Sequence, residues 1–291
     1  MASQLVSPMA RPTIEPVTDS TLLEFGQFLH THLQASRSPK AWVSGLQNQW
    51  TAQPPNYGFV LRDGGAIVGG IGAYYADRVV QGRAERFCNI TSWCVLDAYR
   101  QQSMRLAMAV IGQPGYHFTD FSPTKVVGST LKFFKFKELD AQVAVILNLP
   151  GGLLGGVRLL HRLEDMRKVL AKDAMSMVDA HAAFPWLQQV VVGTPGRWCH
   201  VIYKRRVFKG LPAATMLHVS DGDLFYQYFG RLSSHLLRRG IVSTHVECRA
   251  LKHVPRPFAV RTGFNPKLYL SPTLTDTDID YLYSESMALD L

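Results

Sequence analysis

The stretch Trp93-Cys94-Val95-Leu96-Asp97-Ala98-Tyr99-Arg100-Gln101-Gln102-Ser103-Met104-Arg105-Leu106 carries an apolar strand to its end and begins a helix. The first N–H groups of a helix lack partners within it, and the helix dipole places its positive end there. A loop feeding such a start is therefore a natural seat for phosphate. Here Arg100 and Arg105 flank that start, with Gln101, Gln102, Ser103 and Met104 between them.

Working outward, Arg86 to Val95 reads as the strand, and the helix after the loop runs to about Ile111. Tyr116 to Phe121 is a further strand, and Pro123 to Phe134 a further helix. Upstream, Tyr57 to Leu61 and Ala66 to Tyr75 are apolar runs joined by Arg62-Asp63-Gly64-Gly65, and Asp-Gly between such runs signals a hairpin. Gly69, Gly70 and Gly72 inside the second run mark a bulge or a close approach, either by packing or by substrate. Two helices precede the hairpin: one capped by Asp19-Ser20 and carrying Leu22, Phe25, Phe28, Leu29 and Leu33, the other from Ser38 to Trp50 with Pro39 in its first turn. Met1 to Pro16 reads as a loose lead-in ending in a short strand near Thr13 to Val17.

A chain of 291 residues with 47 % hydrophobic content can bury a substantial core, which excludes the disordered class. Cys88, Cys94, Cys199 and Cys248 lack the paired spacings of a zinc site, and reduced, buried thiols are the expectation; no metal is expected elsewhere. No apolar run approaches the ~20 residues that span a bilayer, and no leader is recognisable, so a cytoplasmic location is expected. The net charge of +9 favours anionic partners, yet the basic residues are dispersed, and nucleic acid is not expected as a partner.

In element order, and at Arg100, this region resembles the GNAT superfamily of acyl-CoA-dependent acyltransferases. Their pyrophosphate pattern is Arg or Gln, two residues, Gly, any residue, then Gly or Ala. Arg100 fits the first position, while Ser103 and Arg105 stand where the family has small residues. Aligning on Phe136 puts Thr124 at the family's Asn, Leu131 at its thiolate-protonating Tyr and Lys135 at its Gly. Leu131 cannot donate a proton.

The pattern restarts at Leu187. A short strand from Gln188 to Val192 and apolar runs from Trp198 to Lys204 and Ala213 to Val219 are followed by a helical face (Leu224, Phe225, Tyr228, Phe229, Leu232, Leu236 and Leu237) closing at Gly240. Ile241 to Cys248 reads as a strand, and Gly263-Phe264 precedes another at Lys267 to Leu270. The resemblance thus implies an α/β fold of two tandem GNAT-like lobes, each a mixed, mostly antiparallel twisted sheet flanked by helices. The division expected is a cofactor-binding lobe over 1–150, closed by a strand from Ala141 to Leu149, then a helical linker over 151–186 and a degenerate lobe over 187–291. The linker helix is read from the stripe Leu159, Leu163, Met166 and Leu170 within Val157 to Ala183. The second lobe's helix start carries Asp221, Gly222 and Asp223, whose carboxylates occupy the orphan N–H groups and repel a pyrophosphate.

The resemblance implies acetyl-CoA or another acyl-CoA as acyl donor and an amine of a small molecule or peptide as acceptor. Val95, Arg100, Gln101, Gln102, Ser103, Met104 and Arg105 would bind the cofactor, with a strand N–H near Val95 polarising the thioester carbonyl. Glu85, His117 and Asp120 are the candidate bases on the neighbouring strands. Two alternatives remain open: a cysteine nucleophile at Cys88 or Cys94, and a non-catalytic lobe pair that binds or scaffolds.

Overall fold

The computed structural model describes residues 12–152 and 155–290. Most of the expected lead-in, Met1 to Arg11, lies outside the described residues. The chain divides into two compact units, the first ending at Asp120 and the second beginning at Phe121.

The first unit contains, in order, β1 (Thr13–Pro16), α1 (Leu22–His32), α2 (Pro39–Leu46), β2 (Gly58–Asp63), β3 (Ala66–Val80), β4 (Arg83–Val95), α3 (Ser103–Ile111) and β5 (His117–Asp120). Its strands lie in the order β1-β2-β3-β4-β5, antiparallel except for β4 and β5, which run parallel. Local chemistry sets the boundaries. Ser38 Oγ accepts from Ala41 N at 3.3 Å to start α2, and Gly64 and Gly65, with φ of 53° and 87°, turn the β2–β3 hairpin. The second helix stops at Leu46, short of the expected Trp50, because Trp50 joins the sheet instead: its N–H donates to Tyr75 O and its carbonyl accepts from Asp77 N.

The glycines of β3 answer to packing. A Cβ on Gly70 would lie 2.3 Å from the ring of buried Phe25, one on Gly69 would lie 3.0 Å from Val95, and one on Gly72 would lie 3.2 Å from Leu46. Both N-terminal helices thus settle against a strand stripped of side chains. The core beneath holds Phe25, Leu29, Trp42, Leu46, Ile71, Tyr74 and Ile90, all buried.

The second unit contains α4 (Lys125–Phe133), β6 (Lys137–Glu138), β7 (Val143–Leu147), β8 (Arg158–Leu160), α5 (Leu163–Met166), α6 (Lys172–His181), β9 (Leu187–Thr194), β10 (Arg197–Phe208), β11 (Leu211–Val219), α7 (Gly222–Arg238), β12 (Ser243–Glu247), β13 (Phe258–Arg261), β14 (Leu268–Leu270) and α8 (Glu285–Ala288). A seven-stranded sheet runs β13-β7-β12-β11-β10-β9-β8, and β14 pairs with β6. The face of α7 carrying Phe225, Tyr228, Phe229, Leu232 and Leu236 packs on Val190, Val192, Val201 and Ala214.

Three expectations are corrected here. The run from Ala141 to Leu149 does not close the first sheet: β7 lies between β12 and β13, antiparallel to both. The strand at Lys267 to Leu270 likewise does not end the second sheet; β14 pairs with β6, Leu268 opposite Glu138. No single helix spans Val157 to Ala183. Arg158–Leu160 pairs with β9, and the helical stretch breaks into α5 and α6, because Leu160, Met166, Met175, Val178 and Val191 need separate approaches to bury in one small core.

Glu247, at the end of β12, is buried among charges. Its carboxylate takes Lys267 Nζ at 2.6 Å, Arg249 Nε at 2.7 Å and the Tyr281 hydroxyl. Burial pushes its pKa up, but the charges of Lys267 and Arg249 and the hydrogen bonds outweigh burial and hold it below the usual value.

Gly70→Ala should lower stability by about 1–3 kcal/mol, because its Cβ would overlap the fully buried ring of Phe25 and force it to shift; thermal unfolding measures it. Glu247 has a depressed folded-state pKa, so its pairing adds stability above the unfolded carboxylate value of about 4.3 and loses it as pH falls through the folded value. Lys267→Met should therefore cost about 3 kcal/mol near neutral pH. That deficit should shrink on acidification, read as urea midpoints across pH.

Candidate active site

The site is built where β4 and β5 part. Their parallel ladder joins only Phe87–Asn89 to His117–Thr119, while β4 continues to Val95 along β3. Asn89 closes the fork: its Nδ2 donates to Thr119 Oγ1 at 3.0 Å and to Thr119 O at 3.3 Å. Beyond it β4 is bulged, with Ser92 and Trp93 together opposite Ile71 and Ser92 at a φ of 51°. A bulge bends a strand and re-aims its backbone groups. The edge of Ile90–Val95 turned away from β3 thus presents backbone N–H and C=O groups that no ladder of this unit consumes. Asn89 and Thr119, both buried, were missed in reading the sequence, although an Asn inside an apolar strand is itself a signal.

After Val95 a 3-10 turn over Asp97–Gln102 carries the chain into α3. Leu96 N donates to Val68 O, and the Tyr99 hydroxyl donates to Asp63 Oδ2 at 2.6 Å, pinning the loop to the β2–β3 hairpin. No side chain caps α3, and its first turn holds no acid, although Ser103 N already donates to Arg100 O of the preceding turn; a helix start without a carboxylate suits an anion better than one capped by Asp. Arg100 is exposed at this end, paired with Asp97 Oδ1 at 2.7 Å. A pair so exposed is worth ~1 kcal/mol or less. Arg105 points elsewhere: its Nη1 donates to Pro12 O and to Gln102 Oε1, both at 2.9 Å. Gln101 and Met104 are exposed, and Ser103 is half-buried at the first position of α3. By contrast Asp221 Oδ1 accepts from Leu224 N at 2.9 Å and caps α7.

Two candidate bases meet. His117 Nε2 lies 2.9 Å from Glu85 Oε2, the imidazole buried and packed on Phe87. Asp120, also buried, stands three residues on and on the opposite face of β5, about 10 Å along the strand, and does not join them. Glu85 precedes Asn89 by four residues and Phe87, opposite His117, by two, so the Glu85–His117 pair lies roughly 7–13 Å along the strand from the fork, at the far end of the ladder. The thiols are protonated bystanders: burial raises the pKa of Cys88 and of Cys94 alike. Leu131 is buried, and Lys135 adopts a φ of 66°, the conformation that a glycine at that position would supply.

Among the described residues no helix is long and apolar enough to cross a membrane. No protein-family model matches the sequence, and no curated protein matches it. Similar solved structures include a GCN5-related N-acetyltransferase from Anabaena variabilis, at TM-score 0.60 and 10 % identity over 89 % of this chain and 72 % of that one. Another, from Kribbella flavida, gives 0.57 and 12 % over 89 % and 71 %, and Eis1 from Mycobacterium abscessus gives 0.54 and 13 % over 88 % and 73 %. At such identities the likeness is one of fold, and it agrees with the two mixed, mostly antiparallel sheets flanked by helices: the chain has the GNAT fold, in tandem lobes.

Proposed function

We propose that the protein transfers an acetyl or longer acyl group from acyl-CoA to an amine of a small molecule or peptide, with the cofactor on the first lobe. The observation that carries this reading is the parted β4–β5 fork, whose open strand edge leads directly into an Arg100-bearing turn and an uncapped helix. The pyrophosphate would sit on the α3 N–H groups, with Arg100 exchanging Asp97 for it. The thioester would lie along Ile90–Val95, where a backbone N–H is aimed at the oxyanion that forms as the amine attacks the carbonyl carbon. The carbon–sulfur bond then breaks and the thiolate leaves. The fork's own side chains, Asn89, Thr91 and Thr119, do not titrate, so the acceptor's proton must leave by water. Glu85 and His117, a part-buried hydrogen-bonded pair spanning these two strands, would receive it.

A second reading, a non-catalytic binding or scaffold protein, draws support from Arg105 being spent on Pro12 and Gln102, and from Leu131 at the acid position.

Calorimetric titration with acetyl-CoA should give saturable binding that Arg100→Glu weakens at least tenfold and Asp97→Asn tightens several-fold by freeing Arg100. Absence of binding to acetyl-CoA and to a longer acyl-CoA would overturn the acyltransferase reading. Binding without turnover on any amine would favour the second. Glu85→Gln should leave the acetyl-CoA affinity unchanged and lower kcat by about 10²-fold, read by steady-state kinetics on an accepted amine.

A further inference from the structure

Where α7 ends, the second lobe opens a cavity of about 270 Å³. Arg205 and Arg206 line it from β10, Arg239 from the C-cap of α7, and Asp290 from the chain after α8. Pro185, Trp186 and Ile241 give it an apolar wall, and the Trp186 indole is held there by the bond from its Nε1 to Met287 O at 2.8 Å. All of these residues belong to the second unit, and none is among those assigned to acyl-CoA.

Three guanidinium groups share one carboxylate in this cavity. Arg206 takes it, with Nη1 at 2.9 Å from Asp290 Oδ1. Arg205 and Arg239 have no ion pair among the described residues: Arg205 donates to the carbonyl of Arg239 at a long 3.4 Å, and Arg239 lies at the Tyr203 hydroxyl, which keeps its proton because burial outweighs the charges of Arg239 and Arg205 and raises its pKa. Both arginines are exposed, so a ligand can reach them, and a guanidinium carries five N–H donors in a planar fork. The helix dipole favours a cation at the end of α7, but Arg238 in the last turn and the Arg205 bond already answer it. The positive field is left over: burial first, then the charges of Arg239, His161, Arg238 and Arg231, push the pKa of buried His235 down to about 4.

Two unmatched guanidinium charges beside an aromatic wall select for a dianion on a small apolar body. A carboxylate or a phosphodiester brings a single negative charge. A phosphate monoester brings close to two at neutral pH, with three strong acceptor oxygens that suit the guanidinium fork. The volume falls just below the ~300 Å³ at which drug-sized pockets begin, so the organic part is no larger than a single ring.

We propose that this cavity binds a small phosphate monoester, its phosphate between Arg205 and Arg239 and its organic part against Trp186. In full-length ¹⁵N-labelled protein at about pH 8, where the phosphate is a dianion, titration with phenyl phosphate should saturably shift the indole N–H resonance of Trp186, assigned through a Trp186→Phe variant. Inorganic phosphate, which lacks the ring, and benzoate, which lacks the second charge, should each bind at least about tenfold more weakly. Arg205→Gln and Arg239→Gln should each weaken phenyl phosphate about tenfold with the thermal midpoint retained, whereas Arg100→Glu, which reports on the acyl-CoA site, should leave its affinity unchanged. The comparison of the three ligands on the unmutated protein decides the matter even where a variant fails to fold. No saturable shift, an equal response to inorganic phosphate or to benzoate, or displacement of phenyl phosphate by a short single-stranded DNA, which would assign the arginines to a nucleic-acid backbone, would overturn the proposal.

Discussion

The parting of two parallel strands after three residue pairs is the constraint on which the rest of the first lobe depends. Backbone N–H and C=O groups left without a ladder are costly in a core, so the edge from Ile90 to Val95 is stable only where water or a ligand meets it. Several features hold that edge open. Asn89 ties the fork to Thr119, the bulge at Ser92 and Trp93 bends β4, and the Tyr99–Asp63 bond fixes where the strand delivers the chain. Ser92 adopts a left-handed backbone conformation that is unfavourable by roughly 1–2 kcal/mol for a residue with a Cβ. Strain of this kind persists where surrounding contacts over-determine it, and here it falls at the opening itself.

Much of this was legible in the sequence because the signals are local. Asp63-Gly64 gave the hairpin, Pro39 and Asp221 gave helix starts, and Gly240, with a φ of 74°, marks the end of α7, whereas Asp19-Ser20 does not cap α1: its N-cap is Thr21, and Asp19 accepts from the Tyr57 hydroxyl instead. The alignment on Phe136 assigned Lys135 to a glycine position, and the backbone there has the glycine-like φ. Glu85 and His117 were singled out one at a time, and register brings them together: with Phe87 opposite His117, the carboxylate two residues upstream projects from the same face. The same rule separates Asp120 from them.

What could not be read depends on partners distant in sequence. The apolar run Val143–Leu147 has the same composition whichever sheet it enters, and only the neighbours it finds, β12 and β13, decide. Leu159, Leu163, Met166 and Leu170 keep a helical spacing, yet three residues there pair with β9, because a ladder with an existing strand outweighs a weak local preference. Asn89 and Thr119 were hidden for the converse reason. Each looks like an ordinary strand residue until the strand beside it turns away.

The two lobes separate what a fork requires from what a cofactor requires. Both have a parallel ladder of three pairs, a bulge soon after it and a helix at the end of the bulged strand. These features recur although the chemistry at the helix start has reversed, from exposed Arg100 and an uncapped α3 to Asp221 and Asp223 on α7. The fork is therefore a property of how the sheet twists and packs its helix, and it survives where pyrophosphate is repelled. Binding chemistry is then carried by a few side chains at the strand ends. In the second lobe those ends carry buried, charged and hydrogen-bonded groups: Glu247 between Lys267 and Arg249, and His218 beside Asp280. Such groups are expensive to bury unless paired, and Glu247 takes its pairs from both Lys267 and Arg249.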